Sequence, residues 1–172
     1  MSAMIDDNPA TLRHALGPTS LGTVLVAHSA HGLVAILIGD ADEPLVRDLQ
    51  RRFPTSPLSE GASDGYLAAV TAMIDGREDQ RPLPLDMRGT PFQRRVWDAL
   101  RAIPPDATQS YTDIARSIGA PAAVRAVAGA CAANPLAVAI PCHRALRRDG
   151  GLSGYRWGVA RKRALLAREA AR

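Results

Sequence analysis

The sequence predicts a protein of two parts, a small α/β domain over residues 1–84 and a mostly α domain with a helix-turn-helix over residues 85–172. Three observations carry that expectation. Two β-rich apolar runs, Leu21–His28 and Leu33–Gly39, flank Ser29-Ala30-His31-Gly32 and read as a hairpin. From Thr90 onward the pattern changes to capped segments with helical spacing. The charge changes sign at the same place: residues 1–84 hold 6 Arg against 11 Asp and Glu, and residues 85–172 hold 15 Arg and Lys against 6. One half suited to a polyanion and one that is not is the simplest reading of that asymmetry.

Composition excludes several classes. A hydrophobic fraction of 47% with 22% charged residues is that of an ordinary globular chain. No apolar run approaches the roughly 18–20 residues that a membrane span needs. Residues 1–9 are polar and acidic, without the apolar stretch of a signal peptide. Two cysteines in such a chain fit a reducing cytoplasm better than a disulfide, so a cytoplasmic protein with no membrane partner is expected.

In the first part, Leu45, Val46, Leu49 and Phe53 stand at helical spacing and the segment stops before Pro54. Pro54–Gly65 reads as a loop, Tyr66–Ile74 as a second helix closed by Asp75-Gly76, and Pro82–Asp86 as a short extended link. His14, His28 and His31 have neither cysteines nor carboxylates at metal-ligand spacing, and no metal site is expected.

The second part is more sharply punctuated. Thr90-Pro91-Phe92-Gln93 supplies a cap, a proline at the first helical position and Gln three residues after the cap. Phe92, Val96, Trp97 and Leu100 then line one face, and Pro104-Pro105-Asp106 ends the helix. Ser110-Tyr111-Thr112-Asp113 resembles a second capping box, opening a helix with Tyr111, Ile114, Ala115 and Ile118 on one side. Gly119-Ala120-Pro121 turns into a third helix, Ala122–Ala132, and the pair fits a helix-turn-helix. Val124, Val127, Ala128 and Cys131 fall on the stripe expected to face the core, with Cys131 acting as a small hydrophobe. Arg125, Ala126, Gly129 and Ala132 fall elsewhere. One guanidinium among tiny side chains suits close approach to a nucleic-acid groove, and it equally suits an ordinary helix with a solvated arginine.

The stretch Ala139-Ile140-Pro141-Cys142-His143-Arg144 sets a thiol directly beside an imidazole and a guanidinium. A free thiol has a pKa of about 8.5, and nearby positive charge together with a proton acceptor raises its thiolate fraction. Leu152–Gly158 follows as a glycine-bounded loop. The final helix, Val159–Ala170, brings Leu165, Leu166 and Glu169 onto adjoining positions of one face. A buried carboxylate there needs a partner, either a basic side chain such as Arg172 or an imidazole that it orients.

Taken together and in order, these segments resemble the O6-alkylguanine-DNA alkyltransferase family of direct-reversal DNA repair proteins. The resemblance is carried by Pro141-Cys142-His143-Arg144, by Arg88-Gly89-Thr90-Pro91-Phe92-Gln93, Arg125-Ala126-Val127-Ala128 and Ala132-Ala133-Asn134, and by Leu152-Ser153-Gly154-Tyr155-Arg156-Trp157-Gly158. It runs from about Leu12 to the end, is strongest from Asp86 onward, and is most like the alkyltransferase domain of bacterial Ada-type proteins.

The resemblance implies a ribonuclease H-like first domain and a helix-turn-helix, winged-helix-like second one. It implies a partner, double-stranded DNA containing O6-alkylguanine, bound by a monomer with no cofactor. Cys142 would accept the alkyl group irreversibly, from O6-alkylguanine and from O4-alkylthymine, with His143 taking the thiol proton and Glu169 holding the imidazole. Tyr111 would rotate the nucleotide and assist the leaving base, and Asn134 would be the hinge between DNA-binding and acceptor elements. Arg125 would occupy the space the base vacates, beside Ala126, Gly129 and Ala132. Tyr155, Arg156 and Trp157 would wall the alkyl pocket. The zinc-bearing regulatory domain of Ada-type proteins has no counterpart in these residues, so the resemblance does not extend to that domain's transcriptional role.

Overall fold

The structure is a computed structural model, and it describes residues 10–61, 65–77, 82–152 and 154–171. The chain divides into two compact units, Met1–Asp86 and Met87–Arg172.

The first unit is a four-stranded sheet with two helices. Strands β1 (Leu12–Thr19), β2 (Gly22–His28) and β3 (Leu33–Gly39) form an antiparallel meander. Strand β4 (Leu58–Glu60) pairs in parallel with Leu12–His14 of β1, giving the order β3-β2-β1-β4. Helix α1 (Asp42–Arg52) packs on β2 and β3, and helix α2 (Tyr66–Ile74) on β1 and β2. Residues Val24–Ala27 of β2 and Leu33–Ile38 of β3 are all buried, which is why their sequence is continuously apolar rather than alternating. The hairpin and both helices follow the sequence expectation, and α1 begins three residues earlier than its apolar spacing indicates. Its first turn holds Asp42 and Glu43, acids that favour a helix N-terminus without contributing to the apolar stripe.

Strands β1 and β4 were not expected. Gly17 and Pro18 interrupt β1, yet they stand at the end of the strand that β4 does not cover, where a missing donor is tolerated. β4 is three residues long, and it lies within the stretch read as a loop. The link Pro82–Asp86 is extended as expected. Leu33 N donates to the Pro84 carbonyl (2.8 Å), Asp86 N donates to the Leu33 carbonyl (2.8 Å), and Ser29 Oγ donates to Asp86 Oδ2 (2.7 Å). Gly32, at φ +148°, is required there because a Cβ would lie 2.4 Å from the Pro84 oxygen.

The second unit contains α3 (Pro91–Arg101), β5 (Gln109–Ser110), α4 (Tyr111–Ser117), α5 (Val124–Ala132), a 3-10 turn (Cys142–Arg144), β6 (Ala145–Leu146) and α6 (Val159–Ala170). The Thr90 capping box is complete: Gln93 N donates to Thr90 Oγ1 (3.1 Å) and Thr90 N to Gln93 Oε1 (2.9 Å). Ser110 Oγ accepts from Asp113 N (3.0 Å), as its spacing indicates. α4 ends in a Schellman motif, with Gly119 at φ +74°, Gly119 N bonded to the Arg116 carbonyl and Ala120 N to the Ala115 carbonyl. The turn uses two further residues, so α5 starts at Val124 rather than Ala122.

α3 packs against α4 and α5, and the indole of Trp97 donates to the Ala130 carbonyl (2.9 Å). The buried stripe of α5 is Val127, Ala130 and Cys131. Ala130 therefore replaces Ala128 in the expected core face, because α5 presents Ala128 to a cavity instead of to α3. The pair β5–β6 is parallel, with Gln109 opposite Ala145 and Ser110 opposite Leu146. It brings Tyr111, the next residue after β5, alongside the turn that immediately precedes β6.

Candidate active site

The approach to the cysteine is a buried, irregular segment. Leu136, Ala137 and Ile140 are fully buried. Val138 takes a positive φ of 62° at the centre of a tight turn in which Ala139 N donates to the Ala137 carbonyl (2.7 Å). Pro141, at φ −79° and ψ 63°, centres a second such turn, with Cys142 N donating to the Ile140 carbonyl (2.8 Å). The proline ring fixes φ near the value that this inverse turn needs, so Pro141 presets the entry of the chain into the 3-10 turn.

Asn134, fully buried at the end of α5, ties that segment together. Its Oδ1 accepts from Leu136 N (2.9 Å), and its Nδ2 donates to the Ile140 carbonyl (2.9 Å) with the Cys142 sulfur at 3.2 Å. Cys142 is buried, at 4% exposure. Burial pushes its thiol up to about 11, with the Asn134 hydrogen bond and the Lys162 charge opposing. Arg144 is not among the groups that favour the thiolate, contrary to what its place in the sequence indicates. Its guanidinium turns away, donating to Glu169 through Nε (Oε2, 3.0 Å) and Nη2 (Oε1, 2.7 Å), and to the Ile103 carbonyl through Nη1 (2.6 Å).

His143 Nε2 lies 2.8 Å from Glu169 Oε1, while its buried Nδ1 has no hydrogen-bond partner among the described residues. The carboxylate fixes the tautomer: Nε2 carries the proton and Nδ1 is the free base. Burial lowers the His143 pKa, and it outweighs the hydrogen bond and charge of Glu169 that act in the other direction. For Glu169 burial acts upward and is outweighed by bonds from His143 and Arg144, so the carboxyl falls to about 2. Glu169 thus takes both kinds of partner left open by the sequence. The basic one is Arg144; Arg172 lies outside the described residues.

Lys162 went unrecognised as a site residue in the sequence. It is fully buried, donates to the Ala145 carbonyl (2.6 Å), and burial lowers its pKa against the opposing influence of Cys142 and Cys131. Its signal was spacing: Lys162, Leu165 and Glu169 repeat at three and four residues, and they are the buried stripe of α6.

A cavity of about 310 Å³ opens beside the sulfur, lined by Tyr111, Ala128, Cys131, Ala132, Cys142, Gly154, Tyr155 and Arg156. Ser153 of the same loop lies outside the described residues. Tyr155 offers a buried hydroxyl without a partner among the described residues, and burial pushes its pKa well up, so it stays a neutral donor. Arg156 donates to the Ala132 carbonyl (3.3 Å) and so bridges the loop to α5. Trp157 requires a correction: it does not border the cavity. Its ring is buried and meets that of Tyr155 edge to face at 5.3 Å. Cys131 is a buried apolar residue, its thiol pushed up to about 12 by burial, and it also touches the cavity.

Arg125, Ala126, Gly129 and Ala132 are all exposed on α5, and a Cβ at Gly129 would meet nothing within 4 Å. Ala132 belongs both to this open face and to the cavity wall. An exposed face of small residues therefore continues into the cavity beside the thiol. No group of three or more His, Cys, Asp or Glu able to hold a metal occurs among the described residues.

Residues 91–171 match the family described as 6-O-methylguanine DNA methyltransferase, DNA binding domain. The bifunctional transcriptional activator/DNA repair enzyme Ada of Escherichia coli is 52% identical over 92% of this chain, which spans 46% of Ada. The inducible methylated-DNA–protein-cysteine methyltransferase of Bacillus subtilis is 40% identical, over 82% of this chain and 80% of its own length. Among solved structures, the Mycobacterium tuberculosis O6-methylguanine methyltransferase superposes with a TM-score of 0.77 at 36% identity, covering 94% of each chain. The same mycobacterial protein in complex with DNA gives 0.75 at 34% identity. With the thiol, its neighbouring base and the mixed α/β architecture in place, the chain belongs to the O6-methylguanine-DNA methyltransferase family of DNA repair proteins.

Proposed function

We propose that this chain repairs duplex DNA by transferring the alkyl group of O6-alkylguanine, and of O4-alkylthymine, to Cys142 in a single irreversible step. The observation that carries the proposal is the continuity just described: a small-residue helix face leads through Ala132 into a cavity walled by a buried thiol. A buried sulfur cannot reach a base inside an intact duplex, so the damaged nucleotide has to leave the stack. Arg125 fills the space it vacates, with Ala126, Gly129 and Ala132 permitting close approach to the groove.

In the chamber, the sulfur attacks the alkyl carbon in line with the bond to O6. The S–C bond forms, the C–O6 bond breaks, and its electron pair passes to the guanine. The thiol proton goes to the free Nδ1 of His143, either directly or through a water, and Glu169 stabilises the imidazolium that results. Tyr111 donates to a ring nitrogen of the leaving base as negative charge develops there. Asn134 holds the sulfur in register with α5. The thioether does not hydrolyse, so each molecule acts once and needs no cofactor.

Tyr155 and Arg156 wall the alkyl pocket, and Trp157 acts through Tyr155 by limiting how far that ring can retreat. Methyl adducts are accordingly preferred to benzyl-sized ones, and equal rates for the two would contradict this. The sheet order, three antiparallel strands with the fourth parallel to the first, supports a ribonuclease H-like first domain over residues 1–84. The pair α4–α5, with α4 capped by Ser110, supports a winged-helix-like second domain over residues 85–172. The protein works as a monomer in the cytoplasm. A Cys142→Ser variant tests the proposal: it binds O6-methylguanine duplex and removes no methyl group, and measurable repair by that variant would defeat the mechanism.

A further inference from the structure

We propose that Arg144 is a positioning residue, one that shares the Glu169 carboxylate with His143 and so sets the acid limit of alkyl transfer at Cys142. The inference rests on reading Cys142 and His143 as the reacting pair. All three nitrogens of the guanidinium are committed: two to the carboxylate at 3.0 and 2.7 Å and one to the Ile103 carbonyl at 2.6 Å. The fork forms only when the 3-10 turn is docked on both α6 and the end of α3. Its Nη2 and His143 Nε2 meet at the same oxygen, Glu169 Oε1. Arg144 is only 12% exposed and Glu169 only 11%, so solvent screens this arrangement weakly.

A bare carboxylate 2.8 Å from an imidazole favours the imidazolium, which cannot accept the thiol proton. A guanidinium on the same carboxylate opposes that pull while leaving the hydrogen bond that aims the ring. The charged groups acting on His143 are Glu169 and Lys162 from α6 and Arg144 from its own turn. Glu169 favours the protonated ring, and Arg144 and Lys162 disfavour it. From the residues just after α3 the turn receives the Ile103 carbonyl, which takes up the third arm of the fork. The motif Cys142-His143-Arg144 thus places nucleophile, base and the regulator of the base on consecutive residues of one turn.

The test follows alkylation of Cys142 by iodoacetamide across pH, read on the Cys142 peptide by mass spectrometry, in the wild type, Arg144→Gln and Arg144→Lys. Iodoacetamide needs no DNA, so failure here and failure of the repair reading are separable. The acid limb of Arg144→Gln moves up by about one pH unit as the like charge that disfavours the imidazolium is removed. Arg144→Lys keeps the charge and leaves the limb near its wild-type position. A uniform fall in rate with an unmoved limb in Arg144→Gln, or an equal movement in Arg144→Lys, overturns the proposal. If Arg144→Gln does not fold, Arg144→Met, of similar length and without the charge, takes its place in the same comparison with Arg144→Lys, and an unmoved acid limb in it overturns the proposal.

Discussion

Cys142 and His143 are held in their uncharged forms, because burial raises the thiol and lowers the imidazole. In the proposed mechanism the resting site is a neutral pair, and the thiolate arises as the proton moves to Nδ1 during transfer. Glu169 gives the clearest stability consequence. Its folded pKa of about 2, against an ordinary 4.5, means that its contribution is full above about pH 4.5 and is lost as pH falls toward 2. The shift corresponds to roughly 3 kcal/mol at about 1.4 kcal/mol per unit. Urea unfolding of the wild type and Glu169→Gln should differ by about that much near neutrality, with the gap closing as pH drops through the acid range. A gap that stays constant would mean that the ion pair is not its source. At this scale the sequence was legible for Glu169, whose place on the apolar face of α6 calls for a partner and which meets both His143 and Arg144. It misled for Arg144, since neighbours in sequence on a 3-10 turn point in different directions.

The elements that were legible are those whose signals are local. The Thr90 box and the Gly119 turn depend on side chains within five residues of each other, and both appear where their spacing indicates. β1 was missed because its pairing partners, not its own composition, make it a strand. Two substitutions probe the start of α3. Thr90→Ala removes the cap and should cost about 1 kcal/mol in chemical unfolding. Gly89→Ala should cost about 1–3 kcal/mol by overpacking, since a Cβ there would stand 2.5 Å from the buried Trp97 ring. An unchanged midpoint for Gly89→Ala would show that the ring can yield. The strained Val138 turn carried no sequence signal, because a β-branched residue is the last expected at positive φ.

For the whole molecule, the decisive pattern is the placement of charge. The basic second half carries both the open face of α5 and the cavity, while the acidic first half supplies an α/β unit without a comparable cluster of reactive side chains among its described residues. Binding to duplex DNA should weaken steeply with added salt, as phosphate contacts release counterions. Arg125→Ala should weaken it further, and should lower the salt slope by about one if the guanidinium meets a phosphate. Undiminished affinity would remove Arg125 from the interface. The central claim is a single-use transfer to one sulfur, and one measurement addresses it directly. Excess duplex containing O6-methylguanine is incubated with the protein, and the products are analysed by peptide mass spectrometry. The account predicts one methyl group per chain, located on Cys142, with repair ceasing at that stoichiometry. Repair of many lesions per chain, or a methyl group on any other residue while Cys142 stays free, would contradict it.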